Sequence, residues 1–239
     1  MATALIFAGG TGQRLSTRAK PKQFLELHGK PIIIYTLEHF EKHSEIDDII
    51  VVCLESWIGE LRYSLKKYDF EKISRIVPGG DRGDISIYNG LKALVQKQCS
   101  LDEIVLIHDG VRPLINCELI SKVIATVKEK GNAITAEEVF EHAVLLDDNG
   151  CVKEVPPREA TYLTKAPHGF RFGMIWDLYQ KARKNDVVSY GTPHLCSIYD
   201  VEMNIVKSTP NNIKVTVPAD YYIFRALYEA MENEQILGM

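Results

Sequence analysis

The sequence predicts an α/β protein built on a doubly wound, mostly parallel sheet. Short apolar runs that read as buried strands alternate with segments whose apolar residues recur at helical spacing. Such alternation implies parallel strands joined by right-handed helical crossovers. In addition, three of the strand runs end in loops rich in glycine or charge, where ligands of such sheets lie.

The first strand is Ala4-Leu5-Ile6-Phe7, followed by a glycine-rich loop and then by Ile33, Leu37 and Phe40 at helical spacing. Ile49-Ile50-Val51-Val52-Cys53 reads as a second strand, with Ile58, Leu61 and Leu65 marking the next helix. Residues 73–77 form a third strand ending at Pro78-Gly79-Gly80, and Ile87, Leu91, Leu94 and Val95 mark one helix face. A fourth strand over 103–108 ends at Asp109-Gly110-Val111-Arg112-Pro113, before a helix carrying Leu119, Val123, Ile124 and Val127. Between about 139 and 165 the alternation falters. Residues 140–146 and 151–155 flank Asp147-Asp148-Asn149-Gly150, which predicts a hairpin with an Asn-Gly turn. Helices resume over 174–182 and 219–231, where Phe224, Leu227, Tyr228 and Met231 share a face. Asn212-Ile213-Lys214-Val215-Thr216 reads as a short strand. The Tyr221-Tyr222 pair and both tryptophans are expected in packing roles. No linker or repeat interrupts the chain, so residues 1–239 form one domain with an arm protruding at about 138–160.

Composition narrows the function. With 46% hydrophobic and 25% charged residues the chain is an ordinary globular protein, and its length supports a substantial core. A net charge of −4 argues against a general nucleic-acid surface. No apolar run is long enough to span a bilayer and no signal-peptide pattern is present, so no membrane role is expected. The five cysteines are scattered, which suits buried thiols in a reducing cytoplasm.

The loop Ala8-Gly9-Gly10-Thr11-Gly12-Gln13-Arg14 suits a polyanion. Glycines let bare amide N–H groups approach phosphate oxygens, while Arg14 and Lys22 neutralise charge. A dinucleotide loop needs a third glycine where Leu15 stands, and the Gly-Lys-Ser/Thr ending of a P-loop is absent. An arginine two residues after the last glycine, followed by Pro21-Lys22-Gln23, belongs instead to nucleotidyltransferases. Asp109 at a strand end suits a Mg²⁺ ligand facing triphosphate oxygens, and equally suits a turn or cap. Arg112 fits an ion-pair partner, and Lys214 fits a solvated strand-end charge. The histidines show no metal spacing; His108 is expected to shape its strand end.

Taken together, A-G-G-x-G-x-R, P-K-Q, G-G-x-R, H-D-x-V-R-P and N-I-K-V-T resemble, in this order, the cytidylyltransferase family. That family includes 2-C-methyl-D-erythritol 4-phosphate and ribitol-5-phosphate cytidylyltransferases. The resemblance covers residues 4–226. The Ala-Gly-Gly loop and the spacing from Arg14 to Lys22 look more like the ribitol-phosphate branch.

The resemblance implies a Rossmann-like sheet of nucleotidyltransferase type and a homodimer formed through the hairpin arm. It implies that Arg14, Lys22 and Lys214 clamp the CTP triphosphate and act in catalysis. Ala8, Gly9, Gly10, Thr11 and Gly12, with Gly80, Asp81 and Ser86, would bind cytosine and ribose. Asp109 would bind the nucleotide through Mg²⁺. Arg112 and Arg158 would lie on the acceptor side, Arg158 being presented to the partner's acceptor phosphate.

Several positions depart from the family pattern. The arginine after G-G-x-x falls one place early as Arg82, leaving Gly83. The arm's Asp-Thr appears as His142-Ala143, Thr-Pro-Gln as Ala166-Pro167-His168, and a later Thr-Asp as Pro193-His194. The expected reaction is transfer of CMP from CTP to a small polyol phosphate, D-ribitol 5-phosphate first, with release of pyrophosphate. Methylerythritol 4-phosphate, glycerol phosphate and other alditol phosphates are the alternative acceptors. The rival readings are a nucleotidyltransferase using another nucleotide, a nicotinamide oxidoreductase and a catalytically inactive nucleotide binder.

Overall fold

The computed structural model of the chain describes residues 1–9 and 20–237, with side chains through Asn233. β1 (Ala2–Ala8) leads to a small ladder of β2 (Glu26–Leu27) and β3 (Lys30–Pro31). There follow α1 (Ile32–Glu41), β4 (Asp48–Cys53), α2 (Ile58–Lys67), β5 (Ile73–Pro78), α3 (Gly83–Gln96), β6 (Ile104–Asp109) and α4 (Cys117–Lys130). This half reproduces the predicted alternation. The second half comprises β7 (Asn132–Glu138), β8 (Leu145–Leu146), β9 (Val152–Glu154), β10 (Tyr162–Thr164), β11 (His168–Arg171), α5 (Phe172–Lys184), α6 (Thr192–Ile198), β12 (Ile205–Lys207) and α7 (Pro218–Leu237).

The main sheet runs β10-β7-β11-β6-β1-β4-β5, with β12 on β7. β5, β4, β1 and β6 are parallel, as is β12 on β7; β11 and β10 run antiparallel. Strand side chains alternate between faces, and here both faces are covered. Ala4, Ile6, Ile49, Val51 and Leu106 pack among residues of α1, α2 and α4. Leu5, Ile50, Val52, Val105 and Ile107 pack among residues of α3 and α5. This two-sided burial explains why the central strands read as continuous apolar runs. Helix ends obey local chemistry: Asn116 Oδ1 accepts from Leu119 N at 2.9 Å to cap α4, and Gly131 (φ +85°) closes it.

Four expectations need correction. The N-I-K-V-T segment forms no ladder. Its polar groups are met singly, Asn212 O by Arg112 Nη1 at 3.0 Å and Val215 N by Val111 O at 2.9 Å, so no neighbouring strand is needed. The hairpin is shorter than predicted: only β8 and β9 pair, across a turn where Asp147 Oδ1 accepts from Asn149 N and Cys151 N, both at 2.9 Å. Val95 points to solvent because Gly90, not Val95, completes the buried face of α3 against Leu5. Tyr222 is exposed, whereas Tyr221 donates to Glu26 O at 2.7 Å. The tryptophans do pack, Trp57 on Phe24 (ring centroids 4.7 Å apart) and Trp176 on Tyr88 (5.3 Å).

Candidate active site at the strand ends

The carboxyl ends of β1, β4, β5 and β6 open into one cavity of about 590 Å³. Ala8 and Gly9 from β1, Leu54 and Glu55 after β4, and residues 79–83 after β5 line it. Asp109, Val111, Lys214, Thr216 and the Lys22-Gln23 pair complete the wall. Eight predicted site residues therefore meet here: Ala8, Gly9, Lys22, Gly80, Asp81, Ser86, Asp109 and Lys214. Gly10, Thr11, Gly12 and Arg14 lie outside the described residues.

Glycine allows the first and third loops to touch. A Cβ on Gly9 would stand 3.0 Å from Ser86 Oγ and 3.3 Å from Gly79 Cα, and one on Gly79 would stand 3.1 Å from Gly9 Cα. Ser86 is almost fully buried, and its hydroxyl works within the loop, accepting from Gly80 N at 3.0 Å and donating to Arg82 O at 3.1 Å. It shapes the cradle more than it faces the cavity. The N-terminus of α3 opens beside this loop, adding the positive end of a helix dipole to the wall. Arg82, displaced by one position from the family pattern, pairs with Asp84 at 2.8 Å and still lines the cavity.

The electrostatic centre is Asp109. Lys214 Nζ stands 2.5 Å from its Oδ1, and Arg112 Nε donates to its Oδ2 at 2.7 Å. Burial raises the Asp109 pKa, but the two cations more than offset this and hold the carboxyl well below the usual range. Arg112 is buried and does not line the cavity. Its guanidinium is committed to Asp109 and to the Asn212 carbonyl, an ion-pair role rather than an open acceptor contact. Lys214 is 39% exposed at its side chain and reaches the cavity. Arg158 opens a short 3-10 turn away from this cavity, half-exposed, with Glu159 at 3.6 Å.

Lys22 begins a one-turn 3-10 helix whose next two residues are buried: Gln23 Nε2 donates to Ala8 O at 2.6 Å and Phe24 stacks on Trp57. Gln23 was legible only as part of the Pro-Lys-Gln motif; its task is to tie Lys22 to the first strand end. Glu55 and Thr216 also line the cavity and carry no sequence signal of their own.

The model of the family described as 2-C-methyl-D-erythritol 4-phosphate cytidylyltransferase (IspD) matches residues 2–229. The chain belongs to the IspD cytidylyltransferase family. Among curated proteins it is 44% identical over 239 residues to a ribitol-5-phosphate cytidylyltransferase of Vibrio parahaemolyticus, covering 100% of each chain. It is 42% identical over 240 residues to one of Streptococcus agalactiae, again covering 100% of each. A 2-C-methyl-D-erythritol 4-phosphate cytidylyltransferase of Clostridium botulinum is 33% identical over 229 residues, covering 96% of this chain and 98% of the other. Among solved structures, the 4-diphosphocytidyl-2C-methyl-D-erythritol synthase of Anaerococcus prevotii aligns with TM-score 0.83 at 29% identity, covering 95% and 96% of the chains.

Enzymes of the IspD family are generally divalent-metal dependent. Among the described residues no group of three metal-type ligands exists. The donor set fits a magnesium ion that arrives with its nucleotide, because such ions use one or two carboxylates and take the remaining oxygens from phosphate and water. The carboxylates on the cavity wall are Glu55, Asp81 and Asp109, of which Asp109 is the buried one and is paired with Lys214 and Arg112.

Two buried histidines behind this cavity, near Asp109 and Arg112, are kept neutral. Burial pushes His168 down to about 4 and His108 to about 3. Their depressed pKa means that the unfolded chain takes up protons the folded chain refuses as pH falls below about 6.5. Stability present above that pH is therefore lost on descending toward pH 4. His168→Gln should flatten this dependence. Urea midpoints from pH 7 to 4.5 check it; an unchanged slope would count against a buried neutral His168.

Proposed function

We propose that the chain transfers CMP from CTP to D-ribitol 5-phosphate, giving CDP-ribitol and pyrophosphate. The observation that carries the acceptor is the end-to-end similarity of 42–44% to ribitol-5-phosphate cytidylyltransferases, against 31–33% to methylerythritol-phosphate enzymes. Both differ from this chain in sequence, but the first group spans it without remainder.

The attacking group is a phosphate oxygen. With a second pKa near 6, a phosphate monoester is largely a dianion at neutral pH and needs no general base. The obstacle is electrostatic, since a dianion must approach a triphosphate. Mg²⁺ held by Asp109 would neutralise triphosphate oxygens and charge on the leaving pyrophosphate. Lys22 and Lys214 face the cavity from opposite segments and supply fixed positive charge where the transition state builds negative charge. Arg112 keeps the Asp109 carboxylate ionised and oriented. The loop from Gly79 to Asp81, with Ala8 and Gly9, forms the close backbone approach for the nucleoside. Arg14, Gly10, Thr11 and Gly12 complete the triphosphate loop in this reading.

Pyrophosphate release decides the substrate. CTP with ribitol 5-phosphate should exceed CTP with methylerythritol 4-phosphate or glycerol 3-phosphate by at least about 100-fold in kcat/KM, and UTP or GTP should fail. Equal rates with methylerythritol 4-phosphate would overturn the acceptor assignment, and binding of CTP without turnover on any acceptor would favour a non-catalytic binder.

A homodimer joined through the arm belongs to the same proposal. The arm exposes Phe140 (71%), Leu146 (57%) and Val152 (59%), apolar surface that a second copy would cover. Arg158 sits on this arm, away from its own cavity, as a residue serving the neighbouring site would. Mixed dimers of Arg158→Ala and Lys22→Ala subunits, each inactive alone, should recover up to about a quarter of wild-type activity per site as expected from one intact composite site in half of the dimers. No recovery in demonstrated mixed dimers would place both residues in one subunit's site.

A further inference from the structure

We propose that Asn212 is a positioning residue that sets Lys214 on Asp109 by fastening the Lys214 segment to the sheet. This rests on the reading that Lys214 acts on the substrate phosphates.

From Lys207 to Lys214, Asn212 is the only buried residue, with 1% exposure. Its side chain and main chain point to two different parts of the site. Nδ2 donates to Ala166 O at 2.7 Å and to Ser208 Oγ at 3.1 Å. Its carbonyl accepts from Arg112 Nη1 at 3.0 Å, and Arg112 in turn holds Asp109. Ala166 is itself a fixed point: the preceding Lys165 N donates to Thr135 O of β7 at 2.8 Å, and the following residues enter β11 through Pro167, whose carbonyl accepts from Thr135 Oγ1. The path therefore runs from two strands of the sheet through one amide to the segment that carries Lys214.

Downstream, Val215 N donates to Val111 O at 2.9 Å, and Asp220 Oδ2 accepts from Thr216 N at 2.7 Å. Lys214 is thus strung between two anchors. The segment has no strand ladder to define its path, so loss of the Asn212 amide leaves Lys214 held upstream only through the Asn212 carbonyl on Arg112. A lysine whose charge must meet a developing anion loses effect when displaced by as little as an ångström, because catalytic charge stabilisation depends on preorganised geometry. The same amide reaches Ala166, at one of the positions where this chain departs from the family pattern, so the acceptor-side segment and the phosphate clamp share one fastening.

The test is a double-mutant cycle. Asn212→Ala should lower kcat by about 10- to 100-fold, and in a Lys214→Ala background the same change should alter kcat by less than about twofold. A loss acting through Lys214 cannot be incurred twice. An equal factor in both backgrounds, or an unchanged kcat in Asn212→Ala, would overturn the proposal, since a purely structural role adds independently of Lys214. If Asn212→Ala does not fold, Asn212→Ser, which retains a short donor, gives the same cycle at smaller amplitude. The Lys214→Ala enzyme reports separately on the underlying reading: wild-type turnover there would remove Lys214 from the clamp whatever Asn212 does.

Discussion

Lys22→Ala should lower turnover by roughly 10²- to 10³-fold, the range seen when one preorganised transition-state contact is removed, while leaving the fold intact. The structural part of this expectation follows from its neighbours. The turn that begins with Lys22 is secured by Gln23, bound to the Ala8 carbonyl, and by Phe24, stacked on Trp57. Deleting the lysine head disturbs neither anchor, and its side chain is only half-buried. The thermal midpoint should therefore move by no more than a few degrees, as for a substitution outside the core. The kinetic part follows from where charge appears. Bound CTP already carries its negative charge, but the bond to the leaving pyrophosphate adds more as it breaks, so the loss should fall mainly on kcat. Near-normal CTP-dependent pyrophosphate release by this variant would remove Lys22 from the clamp and with it the role assigned to Pro21-Lys22-Gln23.

Much of this site was legible in the sequence because its parts sit at strand ends that apolar runs mark clearly. β1, β4 and β6 are buried on both faces, β5 is a partly buried edge strand, and the loops that follow all four are where a parallel sheet must place a ligand. Lys214 was a different matter. Its segment has no period, and only family resemblance lifts it above a solvated charge; the structure puts it on the cavity wall in an ion pair with Asp109. Arg112 was legible as an ion-pair partner, but not as the group that joins Asp109 to the Lys214 segment, because that join runs through a main-chain carbonyl 100 residues away. β7 and β11 escaped for related reasons. Asn132 and Thr135 place polar side chains in a buried strand, each satisfied by a specific bond, and the four residues of β11 are too few to show alternation.

Asp109→Asn should cost about 3 kcal/mol of stability or more, the penalty for stripping a buried cation of its counter-charge, and should reduce turnover below detection in ordinary assays. Asparagine keeps the size and one carbonyl oxygen, but its amide N–H₂ must then face either the Arg112 Nε or the Lys214 Nζ, donor against donor. Arg112 suffers most, since only 8% of its side chain is exposed and water cannot replace the lost carboxylate; Lys214, at 39%, can turn outward. The two losses have different remedies. Removing the stranded cation as well, in Asp109→Asn/Arg112→Met, should recover part of the denaturant midpoint, because no buried cation is then left without its counter-charge, although the Asn212 carbonyl loses its Arg112 donor. Turnover should stay lost, since the carboxylate that pairs with Lys214, and that in the proposed function would hold magnesium, is still missing. Recovery of activity together with stability would mean that Asp109 does no more than neutralise Arg112, and the phosphate clamp would have to be rebuilt around Lys22 and Lys214 alone.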